Sequence, residues 1–515
     1  MKFSILKFSF LISLFILMGS CRKSREEINN TNSANNYNNY PNILLIYMDD
    51  LGYGDVSSYG MGTLSTPNID RISEKGIRFT NGYSTSATCT PSRYAILSGE
   101  YPWRNQRAQI LPGNAPLLFD LSKETLPSIL KKANYKTAIT GKWHLGLGDD
   151  NMDWNQLISP GPNDIGFDYS FILASTNDRV PSVYIENNRV LDLNKKDPLK
   201  VSYTKNFIGE PTGKENPQLL RLFPSHGHDM SIHNGIPRIG FMKGGKSALY
   251  VDENMSDTIL VKTKKFIESN KNNPFFLFYS LHQPHVPRVP HPRFVGSSGM
   301  GPRGDAILEA DWAIGQVLDK LEEFGLSRNT MVIFSSDNGP VLDDGYKDEA
   351  EEKIGDHTPS GVLRGGKYSM FEGGTRVPFI ISWPGKIVPG VSDALVCQLD
   401  FMGSFADLVG IENPSLDSRN TLNSFLGKSK NGRDQLVLEA SGKTFLRKGN
   451  WVMIPPNDGP KIVNKWVKNE TANSRDFQLY DLTEDVGQLK NLALAYPEKL
   501  QEMIKTMKEI KERGN

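Results

Sequence analysis

Four segments of the chain share one design, a strand-like run that ends in a polar cluster. Ile43-Leu44-Leu45-Ile46-Tyr47-Met48 leads into Asp49-Asp50, and Met331-Val332-Ile333-Phe334 leads into Ser335-Ser336-Asp337-Asn338-Gly339. The run from Pro274 to Leu281 precedes His282-Gln283-Pro284-His285, and that from Tyr135 to Thr140 precedes Gly141-Lys142-Trp143-His144. Apolar runs without alternation fit strands covered on both faces, as in parallel sheets. Phe379 to Trp383 reads as another buried strand, and helical periodicity fills Leu126 to Ala133, Thr258 to Ser269 and Glu309 to Phe324. Alternating strands and helices predict an α/β sheet, with a site along its carboxyl edge where the polar clusters gather.

Residues from about 151 to 250 lack this periodicity and are rich in Gly, Pro, Asn and His. They read as long loops over the site, where selectivity is commonly set. After about residue 430 the pattern changes to a smaller α+β unit. It has a strand at Gln435 to Glu439, a turn at Lys448-Gly449-Asn450-Trp451 and a last helix from Pro497 to Arg513. The N-terminus has Lys2 and Lys7 ahead of an apolar run from Phe8 to Met18, too short for a bilayer span but suited to an export signal. The expected organisation is a signal at 1–21, a polar tether at 22–40, a catalytic domain at 41–430 and a C-terminal subdomain at 431–515.

With 515 residues and a net charge of +1, the chain has room for a large core but no bulk charge to attract nucleic acid. Any anion specificity must be local. Of the 3 cysteines, Cys21 closes the signal, Cys89 lies in a motif and Cys397 sits in an apolar run read as core. No disulfide framework is expected.

Asp49 and Asp50 alone could cap a turn. Paired with Asp337-Asn338 at an equivalent strand end, they make a hard oxygen set suited to Ca²⁺, less comfortably Mg²⁺, and not to zinc. Cys89, in Cys89-Thr90-Pro91-Ser92-Arg93 before a helix-like run, reads either as a buried small hydrophobe or as a nucleophile at a helix N-terminus. Lys142 and His144 share one short segment, and Lys367 follows a Gly pair that lets backbone approach a ligand. His282 and His285 lie in a Pro-punctuated loop. His228, in the densest His and Gly stretch, joins Asn177, Asp178, Arg179 and His357 as candidates for contact with a sugar, with a surface loop as the plain alternative.

Cys89-x-Pro91-x-Arg93 is the signature at which sulfatases convert cysteine to formylglycine. Together with the other motifs in their order, up to Leu479-Tyr480-Asp481-Leu482-Thr483-Glu484-Asp485, the chain resembles the formylglycine-dependent, arylsulfatase-type sulfatases of the alkaline-phosphatase-like superfamily. The resemblance implies a mixed, mostly parallel sheet sandwiched by helices, with a smaller C-terminal α+β subdomain. It implies that Asp49, Asp50, Asp337 and Asn338 hold calcium together with the modified Cys89, and that Arg93 holds the hydrate of that formylglycine. Lys142 and Lys367 would cradle sulfate, while His144 and His285 transfer protons and His282 stands behind them. A formylglycine-generating maturation enzyme is implied as a partner. Met18-Gly19-Ser20-Cys21 resembles a bacterial lipoprotein signal, which implies a periplasmic or surface protein lipidated at Cys21, with plain secretion as the alternative. The expected activity is sulfate-ester hydrolysis on a sulfated carbohydrate. A phosphodiester or phosphonate ester hydrolase, and an inactive glycan-binding lipoprotein, are the competing readings.

Overall fold

The computed structural model describes residues 40–60 and 63–513, so the signal, most of the tether and Cys21 lie outside the described residues. Ten strands form one sheet. In chain order they are β1 (Asn42–Met48), β2 (Gly76–Tyr83), β3 (Lys136–Lys142), β4 (Tyr169–Leu173), β5 (Tyr184–Glu186), β6 (Arg189–Val190), β7 (Phe275–Ser280), β8 (Thr330–Ser336), β9 (Phe379–Ser382) and β10 (Gly390–Cys397). Their order across the sheet is β10-β2-β9-β8-β1-β7-β3-β4-β5-β6. The central strands β8, β1, β7, β3 and β4 run parallel, whereas β9 is antiparallel to both of its neighbours.

The unbroken apolar runs have a direct explanation. Ile43, Leu45 and Tyr47 of β1 enter one core cluster while Leu44, Ile46 and Met48 enter another on the opposite face. The first cluster is completed by α2 (Cys89–Ser98) through Ile96 and Leu97 and by α3 (Leu126–Lys132) through Leu126, Ile129 and Leu130. The second is completed by α1 (Pro67–Glu74), α4 (Met255–Asn270) and α5 (Gly301–Glu323), which contribute Ile69, Ile259 and Ile314 among others. Each strand residue thus loses apolar surface to water whichever way it points.

A second, four-stranded antiparallel sheet is formed by β11 (Gln435–Ala440), β12 (Lys443–Lys448), β13 (Trp451–Ile454) and β14 (Gln478–Asp481). The helix α6 (Pro497–Glu512) covers it with Met503, Met507 and Ile510. Its edge strand β11 docks on the segment that leads into α2. Ala87 N–H donates to Glu439 O at 2.8 Å, and Glu439 N–H donates to Thr85 O at 3.1 Å. Cys397 is buried in this third core cluster, as its apolar neighbours implied.

Two elements differ from expectation. Helix α5 begins at Gly301, eight residues before Glu309, because Gly301-Pro302 occupies the first turn, where a missing N–H and fixed φ are tolerated. The region from 151 to 250 is mostly irregular but supplies three strands of the main sheet, β4, β5 and β6. Among the described residues, no helix is long and apolar enough to cross a membrane.

Candidate active site

The register Met48↔Ser336 places the ends of β1 and β8 side by side, so Asp49-Asp50 and Asp337-Asn338 emerge together at the carboxyl edge. Carboxylate oxygens of Asp49, Asp50 and Asp337 lie within 4.8 Å of one another, and all three residues are fully buried. Asp50 takes φ 63°, a left-handed backbone uncommon outside glycine that persists when surrounding structure enforces it. Asn338 Nδ2 donates to Asp50 Oδ1 at 2.7 Å, while Asn338 Oδ1 and Asp49 Oδ1 have no partner. Burial pushes the Asp49 carboxyl well above the usual range, against the pull of Lys142, and raises Asp50 against the pull of Lys367. Asp337 is driven up by burial too, but Arg93 and Lys142 outweigh that and hold it low. Clustered buried carboxylates with orphaned oxygens suit a divalent cation bound by oxygen alone.

Three cations line the acidic cluster. Lys142, the last residue of β3, places Nζ 2.6 Å from Asp49 Oδ2 and 3.7 Å from Asp337 Oδ2. Gly141 before it has φ 107°, and a Cβ there would meet Ser280 O at 1.8 Å, so only glycine lets β3 approach β7 so closely at this point. Lys367 Nζ lies 2.9 Å from Asp50 Oδ2 and 2.7 Å from Asp344 Oδ2. Arg93 donates from Nε to Asp337 Oδ2 at 3.0 Å and from Nη1 to Ser280 Oγ at 2.6 Å. Its guanidinium is therefore committed chiefly to fixing Asp337.

Cys89 is the first residue of α2 and 2 % exposed, with Thr88 as the N-cap. Its Sγ lies within 4.8 Å of an oxygen of Asp49 and a ring nitrogen of His285. Burial pushes the thiol up to about 11 despite Lys142 and Lys367. The unmodified side chain is therefore a protonated thiol near neutral pH, not a poised thiolate.

His144 Nε2 faces Leu111 O at 2.9 Å and its Nδ1 has no partner, which fits a neutral ring with Nδ1 free to accept a proton. Burial, then Lys142, lowers its pKa well below the ordinary value. His285 Nδ1 faces Val286 O at 2.6 Å, leaving Nε2 toward the cluster, 3.8 Å from Asp50 Oδ2. Burial and then Lys367 lower it as well. His282 is held to about 4 by burial, and its Nδ1 makes no hydrogen bond.

The residues assigned to sugar contact divide. Asp178 and Arg179 pair with each other at 3.0 Å, the arginine side chain being 15 % exposed. Asn177 is buried and donates to Pro287 O at 3.1 Å, so it ties two loops together. Both ring nitrogens of His228 are taken, Nε2 by Asp178 Oδ2 at 2.9 Å and Nδ1 by His226 O at 2.9 Å. It orients Asp178 and has no nitrogen left for a sugar, contrary to the sequence expectation. His357 is likewise corrected. Its imidazole is fully covered and bonds Asp55 Oδ1 at 2.8 Å beside the Arg303–Asp55 pair. That is an internal charge network, out of reach of a ligand. Sequence reasoning missed Asp344 and Ser280. The acidic pair Asp343-Asp344 shortly after Asp337-Asn338 was the available signal for the first, whereas a serine ending β7 offers none.

At the carboxyl edge of this mostly parallel sheet, buried carboxylates thus meet Lys142, Lys367 and Arg93, the setting of a hydrolytic site. A sequence model of the sulfatase family matches residues 41–411, and the chain belongs to that family, the sulfuric ester hydrolases. It is 48% identical to an N-acetylgalactosamine-6-O-sulfatase of Bacteroides thetaiotaomicron over 92% of this chain and 93% of that protein. Human arylsulfatase A is 29% identical over 90% of this chain and 86% of its own length. A solved structure from work on glycosaminoglycan metabolism by Bacteroides thetaiotaomicron superimposes with a TM-score of 0.91 at 48% identity, covering 92% of this chain and 100% of that one.

Proposed function

We propose that this chain is an exported sulfatase that removes 6-O-sulfate from N-acetylgalactosamine in sulfated glycans. In this reading Cys89 is matured to formylglycine, and calcium is held by Asp49, Asp50, Asp337 and Asn338. One observation carries the catalytic part. Oxygens of Asp49, Asp50 and Asp337 meet within 4.8 Å, and Cys89 joins Asp49 and His285 in an overlapping cluster of the same span. The orphaned oxygens Asp49 Oδ1 and Asn338 Oδ1 support a bound cation. The sugar part is supported by the relative named an N-acetylgalactosamine-6-O-sulfatase. Export and a lipid anchor at Cys21 rest on the N-terminal sequence alone, and the division into 41–430 and 431–515 on the change of pattern near residue 430.

When bound and matured, the cation and the formylglycine supply positive charge and an attacking hydroxyl beside the ester sulfur. The chain's own residues do the rest. Lys142, beside Asp49, and Lys367, beside Asp50, neutralise the sulfate oxygens, where a dry environment magnifies each charge. Arg93 keeps Asp337 ionised and aimed. His285 donates a proton from Nε2 to the departing alcohol oxygen. The negative charge of a bound ester offsets Lys367 and favours the protonated ring that this step needs. His144 Nδ1 accepts the proton released as sulfate leaves.

The test is sulfate release by protein co-expressed with a formylglycine-generating enzyme. The substrates are N-acetylgalactosamine 6-sulfate, its 4-sulfate isomer and N-acetylglucosamine 6-sulfate, with mass spectrometry of the Cys89 peptide alongside. Preferential release from the first by aldehyde-bearing protein is expected. Equal rates from protein whose Cys89 remains a thiol would overturn the mechanism, and a preference for the 4-sulfate would overturn the substrate.

A further inference from the structure

Asp344 belongs to none of the motifs, yet it sits where the leaving sugar must be. One of its oxygens, a ring nitrogen of His285 and an oxygen of Asp50 lie within 4.8 Å of one another. His285 is the proton donor to the leaving alcohol in the function proposed above, so Asp344 borders the carbon that carries the ester. Oδ2 accepts from Lys367 Nζ at 2.7 Å, and Tyr368 Oη lies 3.1 and 3.2 Å from its two oxygens. A carboxylate has about four acceptor positions, so Oδ1 keeps capacity for another donor. The side chain is 12% exposed, against 1% for Lys367 and 0% for Asp50. With Tyr368, it is a member of this group that keeps some exposure.

A negative group beside the lysine that receives sulfate works against anion binding. Its placement makes chemical sense if it meets a neutral donor. We infer that Asp344 is a specificity-determining residue. It accepts a hydrogen bond from the sugar 4-hydroxyl, the hydroxyl nearest the sulfated C6, and it excludes a second sulfate there. This rests on the sulfated-sugar reading of the site.

The carboxylate is held rigidly for this task. Ser225 Oγ donates to Asp343 Oδ1 at 2.6 Å, Ser225 N–H to Gly345 O at 2.9 Å and Lys347 N–H to Phe223 O at 2.9 Å. Gly345 has φ 128°, and a Cβ on it would fall 2.0 Å from His228 Nδ1. The loop around Asp344 is thus zipped to the loop that carries His228, and a fixed acceptor discriminates better than a mobile one.

The experiment compares kcat/KM for the matured wild type, Asp344→Ala and Asp344→Asn. Substrates are N-acetylgalactosamine 6-sulfate, its 4,6-disulfate and 4-nitrophenyl sulfate. Loss of a hydrogen bond to a charged acceptor is expected to lower turnover of the monosulfated sugar by roughly 10- to 100-fold in Asp344→Ala. The aryl ester, which offers no such hydroxyl but still meets Lys367, is expected to lose distinctly less than the sugar, since it shares only the lost Lys367 partner. Asp344→Asn, similar in shape and uncharged, is expected to narrow the preference for mono- over disulfated sugar. Thermal melts of both variants separate these effects from misfolding. An equal loss on sugar and aryl esters would mean that Asp344 merely anchors Lys367 and would overturn the inference, as would an unchanged preference in both variants. A wild type active on the aryl ester alone would instead overturn the sugar reading, and this inference with it.

Discussion

Lys142 Nζ and Asp49 Oδ2 stand 2.6 Å apart with neither side chain reaching solvent. Breaking such a pair leaves an uncompensated buried charge, a loss of about 3–5 kcal/mol. Lys142→Ala is therefore expected to melt well below the wild type when divalent ions are chelated, and closer to it when calcium is supplied. Its kcat should fall by about 10²–10³, the usual loss for one charge-stabilising donor. Calorimetry with and without chelator, alongside sulfate release, checks both.

Metal removal should destabilise the wild type itself. A cation at a thousand times its dissociation constant contributes about 4 kcal/mol. Chelation is expected to lower Tm and abolish turnover, and calcium to restore both. Unchanged melting with full activity after exhaustive chelation would exclude a structural ion among Asp49, Asp50, Asp337 and Asn338.

Glu439 gives a pH dependence whose sign is fixed. Burial raises its carboxyl from 4.5 to about 7, and its Oε2 has no partner. Below the unfolded value both states are protonated and it contributes nothing. Between the two values the unfolded chain ionises first, so stability falls as pH rises, by about 3 kcal/mol in full above pH 7. For a chain of this size that is about 3 °C in Tm. Glu439→Gln should remove this part of the decline between pH 5 and pH 8, read by melts at both.

His357→Ala should act on stability alone. It strips the Asp55–Arg303 pair of a buried partner, a loss of about 1–3 kcal/mol. The ratio of glycan to aryl sulfate turnover should stay at the wild-type value. A selective loss on glycan would return His357 to the substrate.

Unmodified Cys89 should be nearly inert. With the thiol pushed up to about 11, protein lacking the aldehyde should resist alkylation at pH 7 in the folded state and release no sulfate. Rapid labelling would contradict the burial described above.

Much of this was legible in the chain because strand ends are where both packing and chemistry leave marks. Asp49-Asp50 and Asp337-Asn338 stood out because each pair lies in the polar cluster that ends an apolar run, and parallel pairing then brings them together. Strand β2 was harder to see. Gly76 to Tyr83 mixes Arg78, Thr80 and Asn81 with apolar residues, and its place in the sheet depends on non-local pairing with β9 and β10. His228 and His357 were misread for one reason. A histidine count reports proximity in sequence, whereas Asp178 and Asp55, which absorb those rings, lie 50 and 302 residues away. Asp344 left only a faint trace because its meaning depends on Lys367 and His285, neither of them near it in sequence.

The Lys367 carbonyl accepts a hydrogen bond from the Asn469 side chain at 3.1 Å, and Lys367 in turn meets Asp50 across 317 residues. The pocket is therefore stitched from nearly the whole length of the polypeptide. A ribosome must have delivered position 469 before the lysine gains this tether, and position 488 before its neighbour Arg364 gains the carbonyl of Gln488. Fragments ending earlier would carry the same acidic cluster without that brace, so shortening this enzyme from its C-terminus should weaken the grip on sulfate long before it reaches any residue that touches it.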